Sequence, residues 1–185
     1  PYQPPPAPQQ DGYPPPPPPQ AGNQEDTFSS DEILNAGHTF FGRVSTGLAR
    51  VVEYAFSQSG RPNGYVLGEE AGGAFVAGLR YGEGVLHTKD AGQHKVFWQG
   101  PSIGYDFGAE GSKTMILVYD LRTVDDMFGR FAGVDGSAYF IGGVGMTLQK
   151  RDNVTLAPIR SGVGLRLGAS VGYLKFTRRP TWNPF

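Results

Sequence analysis

The chain has 185 residues, a formal net charge of -1, 38% hydrophobic residues and no cysteine. This excludes disulfides and thiol catalysis, leaves His38, His87 and His94 as the only soft metal ligands, and gives no overall charge excess for nucleic acid. No apolar run reaches the roughly 18 residues that cross a bilayer as a helix. Residue 1 is Pro1 rather than methionine, so an export signal is expected to have been removed.

The N-terminal segment, residues 1–27, is low in complexity. Eleven of the sixteen prolines lie before Asp26, and Pro14 to Pro19 is unbroken. It is expected to be a disordered polyproline II linker without a core. Residues 28–185 then form one domain.

Ser29 to Ser59 reads as one long amphipathic helix. Ser29 and Glu32 fit a capping box, and Asp31 and Glu32 suit the positive end of the helix dipole. Ile33, Gly37, Phe40, Phe41, Val44, Leu48, Val51, Val52 and Ala55 recur at three- and four-residue steps as one apolar stripe. Gly60 and the turn Arg61-Pro62-Asn63-Gly64 end it.

From Gly64 onward period-two alternation predicts strands near 64–70, 73–80, 83–89, 94–99, 102–109, 113–119, 137–149, 153–160 and 163–177. Ser102 to Ala109 alternates bulky and small residues, and Met115-Ile116-Leu117-Val118 reads as a strand covered on both faces. Glycines inside strands, such as Gly104, Gly142, Gly145, Gly164 and Gly168, call for sharp bending or close backbone approach, which a small curved barrel supplies. The fold class is therefore mainly β: a small antiparallel barrel of about eight strands, with the long helix packed on it. Along the last strand the bulky face, from Val163 to Tyr173, is expected to fill the lumen. A short helical insertion is expected from Thr123, with Val124, Met127, Phe128 and Phe131 on its apolar side and Gly129 as its stop.

No catalytic constellation stands out. Gly162, Gly164 and Gly168 lack the dinucleotide spacing and precede a strand rather than a helix. Glu69 and Glu70 alternate faces of a strand and cannot act as a pair, and Asp125-Asp126 reads as helix N-terminal charge. Ser161 has no nucleophile-elbow context. Trp98 and Trp182 read as packing or barrel-rim aromatics. No cofactor and no metal are expected.

Charge is uneven along the chain. Residues 1–59 carry six acids against Arg43 and Arg50, whereas from Lys150 onward seven bases face Asp152 alone. Arg160, Arg166, Lys175, Arg178 and Arg179 are expected to cluster, because the last strands of an antiparallel meander are usually neighbours. Such a cluster is either a charged edge that limits aggregation or a site for an anionic lipid, lipopolysaccharide or polysaccharide.

Two segments, the PSIGYDFGAE run within Trp98–Phe128 and the API-RSGVG run at 157–164, resemble the SYLF lipid-binding domain. Taken with the helix at 39–59 and the YVLGEEAGG turn, residues 28–180 look closer still to the alphaproteobacterial periplasmic family of envelope integrity protein A. That resemblance implies a small periplasmic β-barrel, without catalytic residues, that supports a robust envelope as a scaffold or binding module.

Overall fold

A computed structural model describes residues 26–42, 45–72, 78–101, 112–161 and 172–181. Two helices come first, α1 (Ser30–Phe41) and α2 (Thr46–Ser59). At the start of α1 the Ser29 hydroxyl accepts from the Glu32 N–H, and the Glu32 carboxylate accepts from the Ser29 N–H. This is the expected capping box. The single long helix is corrected to two. Gly42 turns into left-handed backbone at φ 73° and closes α1 with a bond from its N–H to the His38 carbonyl. Ser45 then caps α2, its side chain accepting from the Leu48 N–H. The buried stripe holds in both halves, with Ile33 and Gly37 in α1 and Leu48, Val51, Val52 and Ala55 in α2.

Ten strands follow: β1 (Gly64–Gly72), β2 (Leu79–Thr88), β3 (Gln93–Pro101), β4 (Ser112–Tyr119), β5 (Gly129–Gly133), β6 (Tyr139–Ile141), β7 (Val144–Met146), β8 (Gln149–Arg151), β9 (Val154–Ser161) and β10 (Tyr173–Thr177). Neighbours run β4-β1-β2-β3-β10-β5-β8-β9, and β9 pairs again with β4. Every ladder is antiparallel, so eight strands close a barrel. The β6–β7 hairpin extends from the far half of β9. Gly142 and Gly143, at φ 58° and 76°, make its two-residue turn, a backbone form that favours glycine.

Several strand boundaries differ from expectation. The described end of the segment at 73–80 runs on into the one at 83–89 as one strand, β2, while 73–77 lies outside the described residues, and the segment at 137–149 gives β6, β7 and the start of β8. Pro158 explains the second difference. Its carbonyl accepts from the Thr147 N–H at 3.3 Å, so its missing N–H faces the same side, where β7 and β8 part. The ladder to β4, with Pro158 opposite Ile116, loses nothing there. The helical insertion shrinks to a 3-10 turn, Val124–Met127, without a side-chain bond from Thr123. Gly129 and Phe131 belong to β5, and Phe131 is fully buried. The segments 102–109 and 163–171 lie outside the described residues.

Two cores result. Val66, Leu86, Val96, Trp98, Ile116, Val118, Phe131, Leu156, Leu174 and Phe176 fill the lumen. Ile33, Leu48, Val51, Val52 and Ala55 of the helices pack on Met115, Leu117, Ala157 and Ile159, the outer faces of β4 and β9. The lumen does not take the bulky face everywhere. In β10 the inward residues are Leu174 and Phe176, so Tyr173 lies on the outer side, against expectation. In β1 and β2 glycines point inward, because one large ring occupies their space.

Candidate functional site: a buried ion pair in the lumen

That ring is Trp98. It is 2% exposed and its indole lies over Gly68 and Gly82. A Cβ at Gly68 would stand 2.6 Å from Trp98 Cη2, and one at Gly82 would overlap the indole. Gly68 and Gly82 thus leave room for the ring, whereas Gly84 admits the close approach of the β1 backbone at Leu67 and Gly68. The indole N–H donates to Glu70 Oε1 at 2.8 Å.

Glu70 is fully buried, on the same inward face of β1 as Val66 and Gly68. From β9, Arg160 Nε donates to Glu70 Oε2 at 2.7 Å and Arg160 Nη2 to Oε1 at 2.8 Å. This two-point fork is the strong form of a carboxylate–guanidinium contact. Arg80 of β2, 3% exposed, adds a second positive charge nearby. Burial alone would push the Glu70 carboxyl up. The Arg160 and Arg80 guanidiniums, with the bonds from Arg160 and Trp98, hold it instead at about 2. Thr114, opposite both Gly68 and Arg160, is fully buried, and its hydroxyl has no hydrogen-bond partner among the described residues.

The cluster lies toward the end of the barrel where β1, β3 and β9 finish and β2, β4 and β10 begin. The bonds to the carboxylate come from guanidinium and indole donors, which favour its ionised form. Among the described residues, no group of three or more His, Asp or Glu side chains could hold a metal ion.

The five basic residues singled out in the sequence part company. Arg160 is 4% exposed and faces the lumen, not solvent. The expectation that the last strands are neighbours is also corrected: β10 pairs with β3 and β5, whereas β9 pairs with β4, β7 and β8. Lys175 lies on the outer face of β10, between Gln99 and Arg130. Arg178 forms an ion pair with Asp125, and its guanidinium lies 4.2 Å over the Phe128 ring. Arg179 is exposed beside it. Arg166 and Trp182 lie outside the described residues.

Glu70 itself escaped the sequence reading, which weighed it only as half of an acid pair with Glu69. The two do face opposite ways, Glu69 exposed and Glu70 buried. The available signal was parity: Glu70 falls in step with Val66, and Arg160 with Leu156, so opposite charges sit at inward positions of two strands.

On the helical side, Phe28 meets Tyr65 edge-on with ring centroids 5.0 Å apart, and Tyr65 stacks on its cross-strand partner His87 at 4.8 Å. Lys89 pairs with Glu32 at 2.8 Å and stands 4.9 Å from the Phe28 centroid. The entry of α1 is thereby fastened to β1 and β2. A small cavity lined by Phe41, Ser45, Leu48, Val144 and Ser161 has about 10 Å³ of accessible space, room for one water.

An eight-stranded antiparallel barrel, filled by its own side chains and covered on one side by two helices, is a small β-barrel protein built around a charged lumen. The chain belongs to the Envelope integrity protein A family, whose model matches residues 26–185. It is similar to the crystal structure of a beta-barrel-like, uncharacterised protein from Brucella abortus. The two share 57% identity over 86% of this chain and 99% of that one, with a TM-score of 0.82. No curated protein matches. The family's name ties its members to the integrity of the cell envelope.

Proposed function

We propose that the protein is a non-enzymatic periplasmic component that supports envelope integrity, as a scaffold or binding module for an anionic envelope component. The observation that carries this reading, beside the family, is the state of Glu70. It is the one carboxylate among the described residues that is fully buried, and the guanidiniums hold it ionised at about 2. An acid or base catalyst at neutral pH needs a pKa moved the other way. Basic residues on the outer wall favour an anionic partner.

Two measurements test it. Deletion of the gene is expected to sensitise cells to detergent and to other envelope stress, with rescue by the exported protein and none by a form retained in the cytoplasm. Purified protein incubated with peptidoglycan and with lipopolysaccharide is expected to release no fragment detectable by mass spectrometry. Turnover of either polymer would overturn the non-enzymatic reading.

A further inference from the structure

The turn between α2 and β1 is tied to the chain just past β4 by one side chain. Asn63 Nδ2 donates to the Leu121 carbonyl at 2.7 Å, and the Leu121 N–H donates to Asn63 Oδ1 at 3.1 Å. The Asn63 N–H also donates to the Val118 carbonyl at 3.0 Å. The side-chain amide thus does for Leu121 what a strand backbone would do, at a point where β4 has ended and Asp120 takes left-handed backbone at φ 58°. Leu121 is buried with the lumen core, so the tie holds a core residue in place.

Asn63 is followed by Gly64, and this is the only Asn-Gly pair in the sequence. Asparagine loses its amide most readily before glycine, because no side chain keeps the glycine nitrogen from reaching the amide carbon. In the folded chain that approach is held off twice. Both polar atoms of the Asn63 amide are bound to Leu121. Gly64 is buried in a strand with Thr88 of β2 on one side and Val118 of β4 on the other.

We propose that Asn63 is a deamidation site that the fold silences and that opening of the joint between β1 and β4 exposes. The Gly64 nitrogen bonds to Asn63 Cγ, the bond from Cγ to Nδ2 breaks, and ammonia leaves with the proton that the Gly64 nitrogen gave up. Water then opens the cyclic imide at either carbonyl and leaves aspartate or isoaspartate at position 63. Neither product can rebuild the tie, because a carboxylate has no hydrogen to donate to the Leu121 carbonyl. Isoaspartate also lengthens the main chain by one carbon just before Gly64 must meet Val118. The loss of ammonia is irreversible, so the product accumulates as a record of time spent open.

The test incubates the full chain at mildly alkaline pH in native buffer, in low urea and fully unfolded in urea, with peptide mass mapping of Asn35, Asn63 and Asn153. The unfolded chain is expected to react first at position 63, and the folded chain about tenfold more slowly or slower still. Low urea is expected to raise the native rate in step with the opened fraction. Equal rates in the folded and unfolded chain overturn the protection. A native rate that low urea leaves unchanged shows reaction within the fold and overturns it as well. An unfolded chain that reacts at Asn35 or Asn153 before Asn63 overturns the site. After refolding, the reacted chain and N63D are each expected to melt earlier than the fresh chain. Identical melting of all three overturns the tie to Leu121 as what the reaction destroys.

Discussion

Arg160 grips both carboxylate oxygens of Glu70, a residue 90 positions away in the chain, at 2.7 and 2.8 Å. The contact spans the lumen wall from β9 across β4 to β1, since β4 pairs with both. Removing one partner leaves an uncompensated buried charge, which typically costs about 3–5 kcal/mol. Glu70→Gln and Arg160→Met are each expected to lower stability by that order in urea titrations. Glu70→Leu combined with Arg160→Met is expected to recover much of the loss. A loss in the double variant equal to the sum of the two single losses would show that the two residues act independently.

Acid is expected to weaken the fold through the same pair. The folded carboxyl sits at about 2, below its ordinary 4.5. The unfolded state therefore binds the proton first. The stabilisation is fully present above 4.5 and is lost as pH falls toward 2, on the order of 3 kcal/mol in all. Burial lowers His87 as well, so acidification below its ordinary 6.5 also opposes folding, in an earlier window. Urea midpoints measured from pH 7 to pH 2 are expected to fall in both windows. Glu70→Gln should flatten the lower one only.

The glycine floor beneath Trp98 admits no methyl group. Gly82→Ala would drive a Cβ into the buried indole, and Gly68→Ala would stand 2.6 Å from its edge. Each is expected to cost about 1–3 kcal/mol or more, with altered tryptophan fluorescence. Gly92→Ala makes a useful contrast. Its φ of 77° is unfavourable for alanine but its surroundings are open, so about 1 kcal/mol is expected and the fluorescence should not change.

The joint between the helices has its own signature. Ser45→Ala removes the side-chain cap of α2 and is expected to cost about 1 kcal/mol in thermal or chemical melts. A loss near zero would argue against a stabilising role for the Ser45 cap.

Truncation separates tail from cover. Deleting residues 1–25 is expected to leave the melting temperature unchanged. Deleting 1–59 removes the helices that bury Met115, Leu117, Ala157 and Ile159, and is expected to give aggregated protein. A soluble, cooperatively folding product of the second deletion would show that the helices are dispensable.

The sequence carried the barrel because local alternation carries it. Met115 to Tyr119 reads as a strand with two apolar faces, and that is what β4 is. What it did not carry was which strands pair to close it. The pairing of β3 with β10 joins Trp98 to Phe176, and no local pattern names such partners. Assuming that successive strands pair placed Arg160 beside Lys175, whereas β5 and β8 stand between β10 and β9. The helix was overextended for a similar reason. Its apolar stripe keeps phase through Gly42, and the break is written only in a glycine and the serine three residues on. For the candidate site, charge counting found basic residues but gave them no side of the wall. Parity with Val66 and Leu156 would have set Glu70 and Arg160 apart from the solvated charges.

β4, like β9, belongs to both interiors. Ile116 and Val118 of β4 face the lumen, while Met115, Leu117 and Tyr119 face the helices. The helical layer and the barrel therefore have no seam along which one can melt without disturbing the other. Amide exchange from the centre of β4 then requires opening of the whole domain, whereas the three-residue β6, joined by backbone only to β7, can open locally. A substitution beneath the helices is felt inside the lumen, through one stretch of backbone with a core on each side.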